Sequence, residues 1–506
     1  MKIFFKISIF LLLIVSCKEE NVQIDIIDLQ YEYKVNPVGV DISKARFSWK
    51  LESKQRGVKQ TAYQILVASS LELLDDKQAD IWDSEKIDSD KSIQIYYEGK
   101  TLESNKKYYW KVKVWDQDGQ THISETAFWT TGLFNDSNWK AKWIGLDKAV
   151  GDDAPDVPNR ILSARMLRHE FELDKKVKSA TVFISGLGLF ELYLNGEKIG
   201  NQVLAPGLTE YNKTTFYNSF DVTENLQLNK NAIGVILGNG RYFAPRSNAP
   251  TKTRTYGFPK VICQLEVQYE DGTSSTIITD ESWKLTTNGP TRKNNEYDGE
   301  YYDARMELDA WNKINFDDIN WINAELVDKP GEELVAQPNE AIKIMEELSP
   351  IAVNEVKPDV FIFDMGQNMV GWCELFVKGK KGDKVSLRFA ETLKEDGSLF
   401  LANIRGAEVT DTYILKGGGD ESWEPKFTYH GFRYVEMIGY PGTPTLSSIK
   451  GKVVHDALDI SGLFTCSNKL INSIYKNAYW GISGNYRSMP TDCPQRDERQ
   501  GWLGDR

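Results

Sequence analysis

Between Asp492 and Arg506 the chain gathers four carboxylates, three arginines and a tryptophan into fifteen residues, Asp492-Cys493-Pro494-Gln495-Arg496-Asp497-Glu498-Arg499-Gln500-Gly501-Trp502-Leu503-Gly504-Asp505-Arg506. Cleavage of a glycosidic bond asks for this mixture. A carboxylic acid protonates the leaving oxygen, further carboxylates and arginines grip hydroxyls, and an aromatic ring shapes the pocket. The plain alternative for Arg496-Asp497-Glu498-Arg499 is a charged helix start or a lattice of surface ion pairs. Pro490 and Pro494 interrupt any continuous helix through the segment, and Gly501 and Gly504 bracket Trp502 where backbone can approach closely. A thiol nucleophile at Cys493 would want a histidine partner. His122, His169, His430 and His455 lie far apart in sequence, with no metal-ligand spacing, so no metal is expected.

The elements that must hold this segment are mostly strands. With 506 residues, 41% hydrophobic and 12% aromatic, the chain is too long for one core and implies three or four domains. A net charge of −12, with no basic run beyond Lys378-Gly379-Lys380-Lys381, excludes a nucleic-acid partner. In residues 23–133, Arg46–Leu51, Ala62–Val67 and Tyr108–Trp115 alternate near period two and Asp116-Gln117-Asp118-Gly119 makes a turn, so an immunoglobulin- or fibronectin-like sandwich is predicted. Residues 134–335 read as a jelly-roll unit, with strands at Ala180–Gly186, Phe190–Leu194 and Ala232–Leu237 and a hairpin turn at Asn195-Gly196. The oxygen-rich loop Val150–Asp156 could take calcium but lacks a fixed ligand order, so a solvated acidic loop is the expectation. A third β-unit, 336–456, follows. From Leu463 the period changes: Leu470, Ile471, Ile474, Ala478 and Ile482 recur at helical spacing, Ser467 is placed to cap, and Met489-Pro490 ends or bends the helix.

Residues 1–16 read as an export signal. Lys2 and Lys6 lead into the apolar run Ile7–Val15, at about nine residues too short for a bilayer, which takes roughly 20. Ile14-Val15-Ser16-Cys17 is similar to a lipobox, with Cys17 the lipidated residue, and Lys18-Glu19-Glu20 resembles an outer-face sorting signal. An exported outer-membrane lipoprotein, periplasmic or cell-surface facing and held to the membrane by a lipid anchor, is expected. Cys263, Cys373, Cys466 and Cys493 show no paired spacing and are expected to be small buried residues.

The terminal segment resembles the signature of the bacterial α-L-rhamnosidases, inverting hydrolases that remove terminal L-rhamnose. Further landmarks fall in order: Leu192–Gly196, Tyr297–Arg305, Phe363–Asn368 with Gly371-Trp372, Arg388–Thr392 and Phe427–Tyr434. Nearly all of residues 24–506 take part in the resemblance. It implies a mainly β chain of tandem β-sandwich and jelly-roll domains, followed at 457–506 by the first helices of an incomplete (α/α)6 barrel. It makes Glu498 the general acid, and Asp492, Arg496, Trp502 and Asp505 residues that contact the rhamnose ring or hold the acid. Asp497 and Arg499 are left structural, Gln500 stands where an apolar residue is more usual, and calcium becomes conceivable in an accessory β-domain. The general base, a glutamate far later in the family's barrel, is expected to be absent from these residues, leaving the 506-residue chain inactive. Glu391, Glu408 and Glu421 are not nominated in its place. Two other readings remain: a non-catalytic carbohydrate-binding or adhesion lipoprotein, and a different inverting glycosidase on the same scaffold.

Overall fold

A computed structural model describes residues 23–75, 77–151, 153, 162–244 and 255–502. The export signal, Cys17, Lys18-Glu19-Glu20, most of the acidic loop and Asp505 lie outside the described residues. The chain divides into two compact units, one of residues 23–37 and 42–130, the other of 38–41 and 131–502.

In the first unit, a three-stranded sheet (Asp25–Tyr31, Arg46–Glu52, Ile95–Tyr96) faces a six-stranded one built on Gln60–Ala68 and Lys107–Asp116. Tyr108, Trp110, Val112 and Val114 are buried at alternate positions, the period of a strand with one face inward. Phe47 closes the gap between sheets, its ring centroid 4.6 Å from that of Trp110, while Tyr31 stacks on Trp129 at 4.2 Å. Rings in such contact add packing energy beyond their buried area.

In the second unit, seven- and six-stranded sheets pack face to face. Val182, Ile184, Val261 and Leu265 from one meet Leu167, Leu192, Ile233 and Val235 from the other. The hairpin Leu189–Leu194 to Glu197–Lys198 turns at Asn195 and Gly196. Their φ values of +52° and +94° give the left-handed pair such a turn demands. Asp153 departs from the expected solvated loop. Its carboxylate is buried, accepting from the buried Arg165 guanidinium at 2.9 Å and from Ser163 N at 2.8 Å. Those oxygens are taken by protein donors, Ser163 and Arg165.

A ten-stranded sheet follows, organised on the 19-residue strand Val360–Lys378. Its register shifts between Asp364 and Met369, the bend carrying Gly366 at φ +74°. Asp364 is held there by a two-point pair with Arg433 at 2.8 and 2.9 Å. The sheet also recruits Thr291–Asn295 and Gly299–Asp303, from the sequence side of residue 335 assigned to the jelly roll. Gly299–Asp303 pairs in parallel with Thr410–Ile414. Sheet pairing follows space here, not order along the chain.

The described residues contain one α-helix, Lys469–Gly484. Its cap is Asn468, not Ser467: the Asn468 side chain accepts from Leu470 N at 2.9 Å and Ile471 N at 3.4 Å, satisfying amides that the first turn leaves free. The helix stops at Gly484, short of Met489-Pro490. The turn back toward the β-sheet begins there, with Asn485 N and Tyr486 N donating to Ile482 O and Ser483 O, carbonyls that the last turn would otherwise leave unpaired. Leu470, Ile471, Ile474 and Ile482 are exposed, and Trp480 packs on the ten-stranded sheet's core. No described helix is long and apolar enough to cross a membrane. Cys263, Cys373 and Cys493 are buried, whereas Cys466 is half-exposed, all four as free thiols.

Candidate active site

Residues 486–502 form a loop closed at its neck. Thr491 bridges Gly501, Asp492 N donates to Gln500 O at 3.2 Å, and Trp502 N donates to Pro490 O at 3.0 Å. Gln500 N donates to the Asp492 carboxylate at 3.0 Å, so position 500 serves the loop through its backbone and its side-chain type matters little to that bond. Ser488 and Arg499 have left-handed backbone, with φ +59° and +50°. Together with proline at 490 and 494, that is what a loop, rather than a helix, requires.

Beneath the loop lies a buried cluster of arginines and aromatic rings. Arg499, 1% exposed, donates through Nη1 to Tyr429 O at 2.9 Å and to Glu296 O, and its guanidinium lies over the Tyr429 ring at 4.4 Å. Arg487 pairs with the Glu296 carboxylate and sits 4.5 Å from the same ring centroid. Burial works against a charge on Glu296, but Arg487, Arg241 and Arg499 outweigh it and hold this carboxyl below its ordinary range. Arg241 ties the loop down by donating to Arg499 O and to Tyr297 Oη, each at 3.1 Å. Gly431 makes room for the loop: a Cβ there would lie 2.9 Å from Pro494 Cγ.

On the open side, the Glu498 side chain is 21% exposed. Its Oε2 accepts from Arg405 Nη1 at 2.7 Å and lies 2.8 Å from Arg496 Nη2. Arg496 also reaches Asp492 Oδ2 at 3.4 Å, and Trp502 is 54% exposed. Four of the five residues singled out for sugar chemistry, Asp492, Arg496, Glu498 and Trp502, thus belong to one small loop. Asp497, by contrast, is buried, 1% exposed.

Ligand atoms of Asp492, Cys493 and Glu498 lie within 4.8 Å of one another, a spacing that could hold a metal ion. The Arg496 guanidinium already bridges the two carboxylates, and burial pushes the Cys493 thiol up to about 11. A cation would have to displace one charge and deprotonate an unwilling ligand. The same burial disqualifies Cys493 as a nucleophile. The three glutamates of the preceding β-unit that were not nominated as base are tied up in the β-structure. Glu391 accepts from Asn368 and Asn403, Glu408 pairs with Lys293, and Glu421 accepts from Tyr413 Oη and the Lys416 and Gly417 amides.

Sequence reasoning missed Arg405, Arg241, Arg487 and Glu296. Tyr297 and Tyr429 stood inside landmark stretches but carried no sign that they support the terminal loop. Arg405 had no local signal at all.

Successive β-units followed by one described helix and a loop of acids and arginines fit the modular architecture of a glycoside hydrolase family. Four family profiles match in order: the Rha78A-like N-terminal immunoglobulin domain over residues 26–135, the α-L-rhamnosidase N-terminal domain over 175–346, the bacterial α-L-rhamnosidase concanavalin-like domain over 354–455, and the bacterial α-L-rhamnosidase six-hairpin glycosidase domain over 459–506. The chain belongs to the bacterial α-L-rhamnosidase family. An α-L-rhamnosidase of Formosa agariphila is 38% identical over 530 residues, covering 100% of this chain and 56% of its own length. The solved α-L-rhamnosidase from Dictyoglumus thermophilum is 47% identical with a TM-score of 0.89, covering 95% of this chain and 54% of that one. That of Streptomyces avermitilis, complexed with L-rhamnose, is 32% identical with a TM-score of 0.89, covering 96% and 62%. The chain spans about half the length of the curated relatives it matches.

Proposed function

We propose that the whole protein hydrolyses terminal α-L-rhamnose from glycosides or polysaccharides with inversion, and that Glu498 is its general acid. The observation that carries this is the split between neighbours: Glu498 is presented at the open face of the loop while Asp497 is buried beneath it. Glu498 gives its proton to the glycosidic oxygen, the bond from C1 to that oxygen breaks with its electrons going to the leaving group, and water adds to C1 from the opposite face. Inversion calls for a second carboxylate roughly 6.5–9.5 Å from the acid to take the proton from that water. Glu391, Glu408 and Glu421 are engaged elsewhere, so the family's barrel glutamate is the candidate. Asp492 and Arg496 offer charged partners for ring hydroxyls, Trp502 an apolar face for ring C–H bonds, and Asp505 completes the set by family position. A purely binding or adhesion protein has no use for a presented acid held by two arginines.

Glu498→Gln keeps the shape and removes the proton, so the whole enzyme should lose roughly 10²–10⁴ in rate on rhamnosides of alcohols. Nitrophenyl rhamnoside, whose leaving group departs without protonation, should lose far less. Equal losses on both would take the acid role from Glu498, and a larger leaving-group-dependent loss in Asp497→Asn would move it there.

Cys17 is proposed as a lipid attachment site and the protein as an outer-membrane lipoprotein, periplasmic or cell-surface facing. Support comes from the apolar run ending in Ile14-Val15-Ser16-Cys17. Cys17→Ser should abolish fatty-acid labelling and release the protein from membranes; unchanged membrane association would reject the anchor.

A further inference from the structure

Arg405 reaches the loop from the ten-stranded sheet's side of the molecule. It follows the short turn Ala402–Ile404 with φ +57°. A non-glycine residue keeps that left-handed conformation only when its surroundings enforce it. Two contacts enforce it. Ile404 is buried with Ala244, Tyr297, Ala407 and Val409, and Asn403 Nδ2 donates to Glu391 Oε2 at 3.0 Å. Glu391 is itself held by Asn368 Nδ2 at 3.1 Å, from the bend in Val360–Lys378. The landmark stretches Phe363–Asn368 and Arg388–Thr392, which the acid-bearing loop leaves without a role, therefore brace the turn that presents Arg405. Tyr297, under Ile404, also lies 5.3 Å from the Arg499 guanidinium, so the turn and the acid's loop rest on the same ring.

Arg405 and Arg496 meet the same oxygen of Glu498, Oε2, at 2.7 and 2.8 Å. An oxygen facing two guanidinium donors is the unfavourable place for a carboxyl proton, which leaves Oε1 to carry it. Arg496 belongs to the acid's own loop and moves with it. Arg405 is fixed to the β-sheet and ties the carboxyl to the body of the protein.

We propose that Arg405 is a positioning residue that pins Glu498 Oε2 and directs Oε1, the proton-donating oxygen, at the glycosidic oxygen. The proposal rests on the reading of Glu498 as general acid. As the proton leaves Oε1 and the bond from C1 to oxygen breaks, the negative charge left on Glu498 is already paired at Oε2.

The test compares Arg405→Ala, Arg405→Gln and Arg405→Lys with the parent in the whole enzyme, on methyl rhamnoside and nitrophenyl rhamnoside, with thermal unfolding alongside. Loss of positioning should lower kcat/KM on methyl rhamnoside by about 10–100-fold, through kcat and not KM, part of the roughly 10²–10⁴ that acid catalysis supplies. The loss on nitrophenyl rhamnoside should be at least about tenfold smaller, and Lys should recover most of it by restoring one charged donor. Equal losses on the two substrates, no loss on either, or a lysine variant no better than glutamine at matched stability would overturn the proposal. Glu498→Gln run in parallel separates the two failures. If it discriminates between leaving groups and the Arg405 variants do not, only the positioning role falls; if it does not discriminate, the acid assignment itself is wrong.

Discussion

Asp497 and Glu498 are adjacent carboxylates with opposite surroundings, one sealed beneath the loop and one open to its mouth. Composition cannot separate such neighbours; the family resemblance gives them different roles, and in the fold Asp497 is 1% exposed while the Glu498 side chain is 21% exposed. The support under the loop was not legible because its members come from residues 241, 296, 297, 429 and 487, brought together only by folding. That support makes a sharp stability prediction. Arg487→Met leaves Glu296 buried with one cation fewer. It should cost about 3–5 kcal/mol of unfolding free energy, the usual penalty for breaking a buried pair from one side. Glu296→Gln placed on top should recover much of it. Denaturant unfolding of the two variants checks this, and a single-variant loss within the range of surface substitutions would contradict it.

The helix was the most legible element, since apolar residues at three- and four-residue spacing leave little choice. Its ends were less so. Ser467 and Asn468 are both good caps side by side, and only the reach of Asn468 Oδ1 to two amides decides between them. The loop's return to the sheet hinges on Asp456, at the end of strand Ile449–Asp456, whose Oδ1 accepts from Ser488 N at 2.7 Å. Burial pushes this carboxyl up to about 6 from an ordinary 3.8. Because the folded value is the higher one, its stabilising contribution is fully present below about pH 4 and lost as pH rises through about 6, an amount of up to about 3 kcal/mol. Asp456→Asn retains an acceptor for Ser488 and cannot charge, so it should gain stability relative to the parent between pH 4 and pH 7. Thermal midpoints at the two pH values test this; a difference between variant and parent that stays the same at both would contradict it.

At the scale of the whole molecule, the succession of β-units and the change to helix near residue 468 could be read from alternation, turn residues and period. The recruitment of Thr291–Asp303 into the later sheet could not, because parallel pairing of Gly299–Asp303 with Thr410–Ile414 joins segments more than a hundred residues apart and leaves no local pattern. That crossing matters to the site: it carries Glu296 and Tyr297, in the turn between Thr291–Asn295 and Gly299–Asp303, under the terminal loop. The proposal that the whole protein is an inverting α-L-rhamnosidase is tested most directly by following, in real time by proton NMR, the anomer of rhamnose released from an aryl α-L-rhamnoside. The account predicts that β-L-rhamnose appears first and α-L-rhamnose only later, by mutarotation. Release of α-L-rhamnose first, or no release of rhamnose at all, would contradict it.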